Sequence, residues 1–144
     1  ELSYCNTIRV GLALYGYNPY LELKPSLRLI CPIIRIQKIN KDVEVGYDYI
    51  EKTPNNGYIL TLPFGYSHGL SRLKTLCFFY QNKIYYQIGK QCMDMTMFFS
   101  KEDIPLEEVE IISSNNTNNL ISLNNENIYY ILSSLSPNIK RIYK

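Results

Sequence analysis

Turn punctuation restricts the fold of this chain more than any other feature of its sequence. Asn40-Lys41-Asp42, Thr53-Pro54-Asn55-Asn56-Gly57 and Gln81-Asn82-Lys83 interrupt short runs rich in isoleucine, valine, tyrosine and phenylalanine. Short strands between turn signals predict a mainly-β fold, closed into a small β-barrel or sandwich. The expected strands are Thr7 to Tyr15, a long strand from Leu27, Val43 to Tyr49, Tyr58 to Phe64, Leu73 to Ile88 as a hairpin, Met93 to Phe99 and Val109 to Ser113. Within the long strand, Leu27, Leu29, Cys31 and Ile33 share one face. The phase then slips at Ile33-Ile34 beside Pro32, which predicts a β-bulge or an edge.

Only one short helix is predicted, near the C-terminus. Ile128, Ile131, Leu132 and Leu135 have helical spacing, and Pro137 stops the pattern. The asparagine-rich run from Asn115 to Asn127 reads as a loop with a cap at Asn124 or Asn125, and Ile139 to Tyr143 as a last strand.

Composition narrows the function. With 46% hydrophobic residues the 144-residue chain can bury a core, and a net charge of +2 without basic clusters gives no footprint for nucleic acid or anionic membrane. The four cysteines, Cys5, Cys31, Cys77 and Cys92, lack Cys-x-x-Cys spacing, and a single histidine cannot anchor a usual metal cluster; no metal is expected. Free thiols suit a reducing cytoplasm. No apolar run approaches the roughly 20 residues that span a bilayer. A first residue of glutamate rather than methionine suggests a fragment or a processed piece.

Two runs crowd glycine and polar groups at strand ends, where backbone meets ligand. One is Leu62-Pro63-Phe64-Gly65-Tyr66-Ser67-His68-Gly69-Leu70-Ser71-Arg72; the other is Gly89-Lys90-Gln91-Cys92-Met93-Asp94-Met95-Thr96-Met97. Each residue also has a plainer reading. Met93, Met95 and Met97 alternate as a core-facing strand would. His68 reads as an exposed loop residue, and Cys92 lacks the histidine that would activate a nucleophile. Near the N-terminus, Arg9 stands in the apolar run Arg9-Val10-Gly11-Leu12 and must be paired if buried.

Taken in order, Arg9-Val10-Gly11-Leu12, Gly46-Tyr47 and the two glycine runs resemble the C-terminal region of alanine racemases, enzymes that use pyridoxal 5′-phosphate. The resemblance covers essentially the whole chain. It implies that residues 1–15 are the last strand of an upstream α/β barrel and the start of a connector, and that residues 16–144 are the C-terminal β-barrel domain. Arg9 would bond the pyridine nitrogen of the cofactor, and the Gly11 and Leu12 amides its phosphate. Tyr47 would be one of two catalytic bases, with Tyr49 as its rival. A phenol titrates near pH ~10, so it needs cationic neighbours to act as a base near neutrality. The Met93 amide would bind the substrate carboxylate with Cys92 lining the pocket, Tyr66 would line the substrate entrance, and Arg72 and Lys90 would stand at that entrance. Departures from the family pattern fall at His68, where an aspartate is usual, at Lys90, usually arginine, and at Pro137, where many members have a phosphate-binding tyrosine.

The function so implied is interconversion of L- and D-alanine for the cell wall by a two-base mechanism. The domain's tyrosine would reach the partner's cofactor in a head-to-tail homodimer. The cofactor lysine lies outside this chain, so the fragment alone is expected to be inactive. Two other readings stay open. One is a serine/alanine racemase of the glycopeptide-resistance type; the other is a non-catalytic β-barrel that dimerises or binds a small ligand. Neither nucleic acid nor membrane contact is expected of the domain.

Overall fold

The structure, a computed structural model, describes residues 6–7, 10–17, 20, 22–47 and 51–143. The strands are β1 (Leu29–Pro32), β2 (Arg35–Ile39), β3 (Glu44–Val45), β4 (Glu51–Lys52), β5 (Gly57–Leu62), β6 (Cys77–Tyr80), β7 (Lys83–Tyr86), β8 (Thr96–Ser100) and β9 (Glu108–Ile112). All pairings are antiparallel: β1 with β9, β2-β5-β8 in one sheet, β3 with β4, and β6 with β7. Gln87 bridges to Phe98, and β6 packs on β9, so the small sheets wrap a common core. The mainly-β expectation holds.

Local chemistry explains several elements. Gln81 and Asn82 both take positive φ (46° and 61°), the pattern of a two-residue turn whose twist matches its flanking strands. The slip at Ile33-Ile34 is where the chain changes partner. Cys31 pairs with Val109 of β9, whereas Ile34 donates its N–H to Thr61 and Ile36 pairs with Leu60 of β5. One continuous strand could not serve both sheets, so it breaks into β1 and β2. Leu29 and Cys31 face the core as the alternation predicts.

Other expectations are corrected. Leu12–Tyr15 forms a single 3-10 turn rather than strand, closed by Gly16 at φ 80°. The asparagine-rich run contains a helix, α1 (Thr117–Asn124), ahead of the expected one, α2 (Ile128–Ser133). Asparagine, serine and threonine are weak helix formers, so the sequence conceals α1. It is held from outside. Leu120 is fully buried, and the Asn124 side chain accepts from the Thr75 N–H (3.0 Å) and donates to the Thr75 carbonyl (2.8 Å). Asn125 ends α1 in the left-handed region; the cap of α2 is Asn127, which accepts the Tyr130 N–H at 3.0 Å. No strand forms over Ile139 to Tyr143, and β8 begins only at Thr96.

The main core gathers Leu60, Leu62, Phe64, Phe78, Phe98, Ile111, Leu120 and Ile131. Two thiols lie within it. Burial pushes Cys31 up to about 12 and Cys77 up to about 11, against 9.0 for a free thiol. An acid whose folded pKa is raised leaves stability intact below the unfolded pKa and erodes it above. Each thiol is therefore expected to cost about 1.4 kcal/mol per pH unit, from pH 9 to 11 for Cys77 and to 12 for Cys31. Urea midpoints measured from pH 8 to 11 should fall, and Cys31→Val should make the fall shallower. An unchanged slope in that variant contradicts the assignment.

Candidate functional site

Three loops meet at one end of the domain, and glycines set how closely. Gly46 (φ 90°) and Gly89 (φ 70°) face each other; a Cβ on Gly46 would stand 3.1 Å from the Gly89 Cα. The β3–β4 hairpin, which carries Tyr47, is thus seated on the start of the Gly89 run. Gly89 is held further by its N–H, which donates to Glu51 Oε2 at 2.7 Å, and by its carbonyl, which accepts from Gln87 Nε2 at 2.8 Å.

The second junction joins the two motif runs. Tyr66 donates its N–H to the Cys92 carbonyl at 3.0 Å, and Ser67 to the Met93 carbonyl at 2.9 Å. A side chain on Gly65 would fall closer than 3.0 Å to backbone atoms of Cys92, Met93 and Asp94. Thr96 ties the base of this junction, donating its hydroxyl to the Phe64 carbonyl. The Cys92 N–H closes on the Met95 carbonyl (2.9 Å), and no described residue accepts from the neighbouring Met93 amide. Met93 is 58% exposed, so the core reading of the methionine stripe is corrected there; Met97 packs beside Val45, Ile59 and Ile88.

Tyr47 and Tyr66 both project from this end, 81% and 50% exposed. Between the loops lies a hollow of about 520 Å³ whose lining includes Glu51, Tyr66, Gln87, Lys90 and Gln91. Gln91 Nε2 is buried with no hydrogen-bond partner among the described residues. Glu51 and Gln87 were not marked out by the sequence, because each acts through a side-chain bond to the Gly89 backbone that no spacing announces.

Arg72 follows Ser71, which lines that hollow, and is tied to α2. Its N–H donates to Tyr130 Oη at 2.7 Å, its guanidinium lies 4.7 Å over the Tyr130 ring, and its head group is 3.2 Å from Glu126. It clamps the Arg72 turn to α2. His68 is half-buried rather than an exposed loop residue. Pro137 lies in an exposed turn.

Gly11 and Leu12 lie ahead of β1 in the chain. They head the 3-10 turn, no described residue accepts from their N–H groups, and a Cβ on Gly11 would meet only Tyr129 Oη, at 3.9 Å. Open, successive backbone donors fit an anion such as a phosphate. Arg9 and Tyr49 lie outside the described residues. Among the described residues no cluster could hold a metal ion, and no helix is long and apolar enough to cross a membrane.

The fold is a mainly-β domain with two short helices and an end built on close glycine contacts. A family profile described as alanine racemase, C-terminal domain, matches residues 26–143. The chain belongs to that family. It is 36% identical to the alanine racemase of Rickettsia bellii over 96% of this chain and 37% of that one. It is 30% identical to that of Lactococcus lactis over 94% of this chain and 41% of the relative. Among solved structures, alanine racemase of Clostridium difficile 630 superposes with a TM-score of 0.85 at 26% identity, covering 96% of this chain and 41% of that one. A histidine racemase of Leuconostoc mesenteroides superposes at 0.77 with 25% identity, covering 93% and 40%. The chain thus spans about two fifths of the length of these relatives.

Proposed function

We propose that the chain is the C-terminal domain of a pyridoxal-phosphate-dependent racemase that interconverts L- and D-alanine, and that Tyr47 is one of its two bases. The observation that carries this reading is the placement of Tyr47. It stands 81% exposed on a hairpin whose position is set by Gly46 on Gly89, at the end where no described residue accepts from the Met93 amide. A base must reach the α-carbon while a donor holds the substrate carboxylate; the hairpin and the Cys92–Met93 loop supply one of each.

The Gly11 and Leu12 amides would hold the cofactor phosphate, with Arg9 near its ring. The bound cofactor supplies the electron sink that acidifies the substrate α-proton. Tyr47 takes or returns that proton at its phenolic oxygen on one face, and the second base, outside this chain, acts on the other. Tyr47 would serve the partner's cofactor in a head-to-tail dimer. Residues 1–15 would then complete the barrel and residues 16–144 the β domain, and the fragment by itself would be inactive. The histidine racemase among the relatives makes the preferred amino acid an experimental matter, so serine and histidine belong in the same assay.

The test is α-proton exchange in deuterated water by the full-length protein with each enantiomer of alanine. Tyr47→Phe is expected to lower racemisation by at least about 1,000-fold. Cofactor absorbance should persist, with exchange from one enantiomer only. Unchanged exchange from both enantiomers removes Tyr47 from the mechanism.

A further inference from the structure

His68 occupies a position that the racemase reading leaves without a task, and its contacts converge on the loop junction. Its Nδ1 accepts the Gly65 N–H at 3.1 Å. Because that donor is a backbone amide, Nδ1 must be the unprotonated nitrogen and the ring hydrogen sits on Nε2. Ser67 Oγ, at 3.5 Å, is the other polar atom beside Nδ1. The ring stacks on Phe64, a core residue, with centroids 5.6 Å apart. On its other side the His68 carbonyl accepts the Ser136 N–H at 2.9 Å, and Gly69 lies directly against the Ser134–Leu135 backbone.

Gly65 is buried, so its N–H needs an acceptor inside the fold. A side chain three residues on that reaches back to the first amide of a turn is the return half of a capping box. The turn so closed, Tyr66–His68, is the one whose Tyr66 and Ser67 N–H groups bond the Cys92 and Met93 carbonyls.

We infer that His68 is a positioning residue: its Nδ1 caps the Gly65 amide and thereby holds the Tyr66 turn against the Cys92–Met93 loop that presents the substrate-side amide. This rests on the racemase reading for what the loop binds, though not for the cap itself. Any side chain with an acceptor at that reach should serve, so asparagine can replace the imidazole and phenylalanine cannot. Phenylalanine keeps the stacking on Phe64 and removes only the acceptor.

The full-length protein is assayed with alanine, and hydrogen exchange is followed at the Gly65 amide. His68→Phe is expected to raise KM about 10-fold with kcat within about twofold, because the cap orders the substrate-binding loop and leaves the Tyr47 hairpin in place. Gly65 should lose its protection in that variant. His68→Asn should restore both. If His68→Phe fails to fold, His68→Leu takes its place. An unchanged KM with a protected Gly65 overturns the inference, as does His68→Asn behaving like His68→Phe. If the wild-type protein racemises nothing while Gly65 protection follows the acceptor, the cap stands and the racemase reading falls. If racemisation is normal and protection ignores the acceptor, the racemase reading stands and the cap falls.

Discussion

Gly65→Ala in the full-length protein is expected to lower racemisation by about 100-fold, the scale at which a displacement near 1 Å disturbs a reacting geometry. The added methyl would fall among the backbone atoms of Cys92, Met93 and Asp94, none of which can rotate away as a flexible side chain would. One loop must move. The first bonds to suffer are Tyr66 N–H to Cys92 and Ser67 N–H to Met93, which register the two motif runs. Overpacking of this kind also costs about 3 kcal/mol of stability. Gly11→Ala is the control for the melts alone, because a methyl there meets only Tyr129 Oη at 3.9 Å while its amide is assigned to the cofactor phosphate. Steady-state kinetics and thermal melts on the two variants decide the matter. A Gly65→Ala protein with wild-type KM and melting temperature would falsify the close junction.

Asn116→Ala is expected to destabilise the domain by about 3–5 kcal/mol, more than any surface change. Asn116 is fully buried, and its Nδ2 donates to the Cys77 carbonyl at 2.6 Å and the Ile111 carbonyl at 2.8 Å. Its Oδ1 lies 3.5 Å from Cys77 Sγ. One amide therefore joins β6, β9 and the start of α1, and truncating it strands buried acceptors beside a cavity. Asn116→Asp is nearly the same size, yet at neutral pH it presents acceptors to acceptors. It should be at least as damaging, and it should recover as falling pH returns a proton that can be donated. Urea unfolding at pH 5 and pH 8 tests both statements. A benign Asn116→Ala means that water or neighbouring groups take over the carbonyls.

Both residues show why part of this protein was illegible in one dimension. Asn116 sits in a polar run that reads as loop, and nothing nearby in sequence indicates that its partners are Cys77 and Ile111. The helix α1 is hidden for the same cause: its residues have weak helical preference and its support comes from Thr75, distant in sequence. Alternation is a strand signal and points Met93 into the core, but the chain is not yet a strand there. The motif gives no sign of Arg72's contacts with Glu126 and the Tyr130 ring, both distant in sequence.

Short alternating runs and turn residues were enough for the sequence alone to determine a mainly-β domain, because side-chain alternation and turn geometry are local properties. Ordered motifs likewise determined the family, since each carries glycines and polar groups whose spacing survives without coordinates. Which glycine lies against which backbone was decided only in three dimensions. So were the break between β1 and β2, the pairing of His68 with Gly65, and the meeting of Tyr47's hairpin with Gly89. These are contacts between distant segments or demands of packing and hydrogen-bond satisfaction, and their energy exists only once the chain has closed on itself.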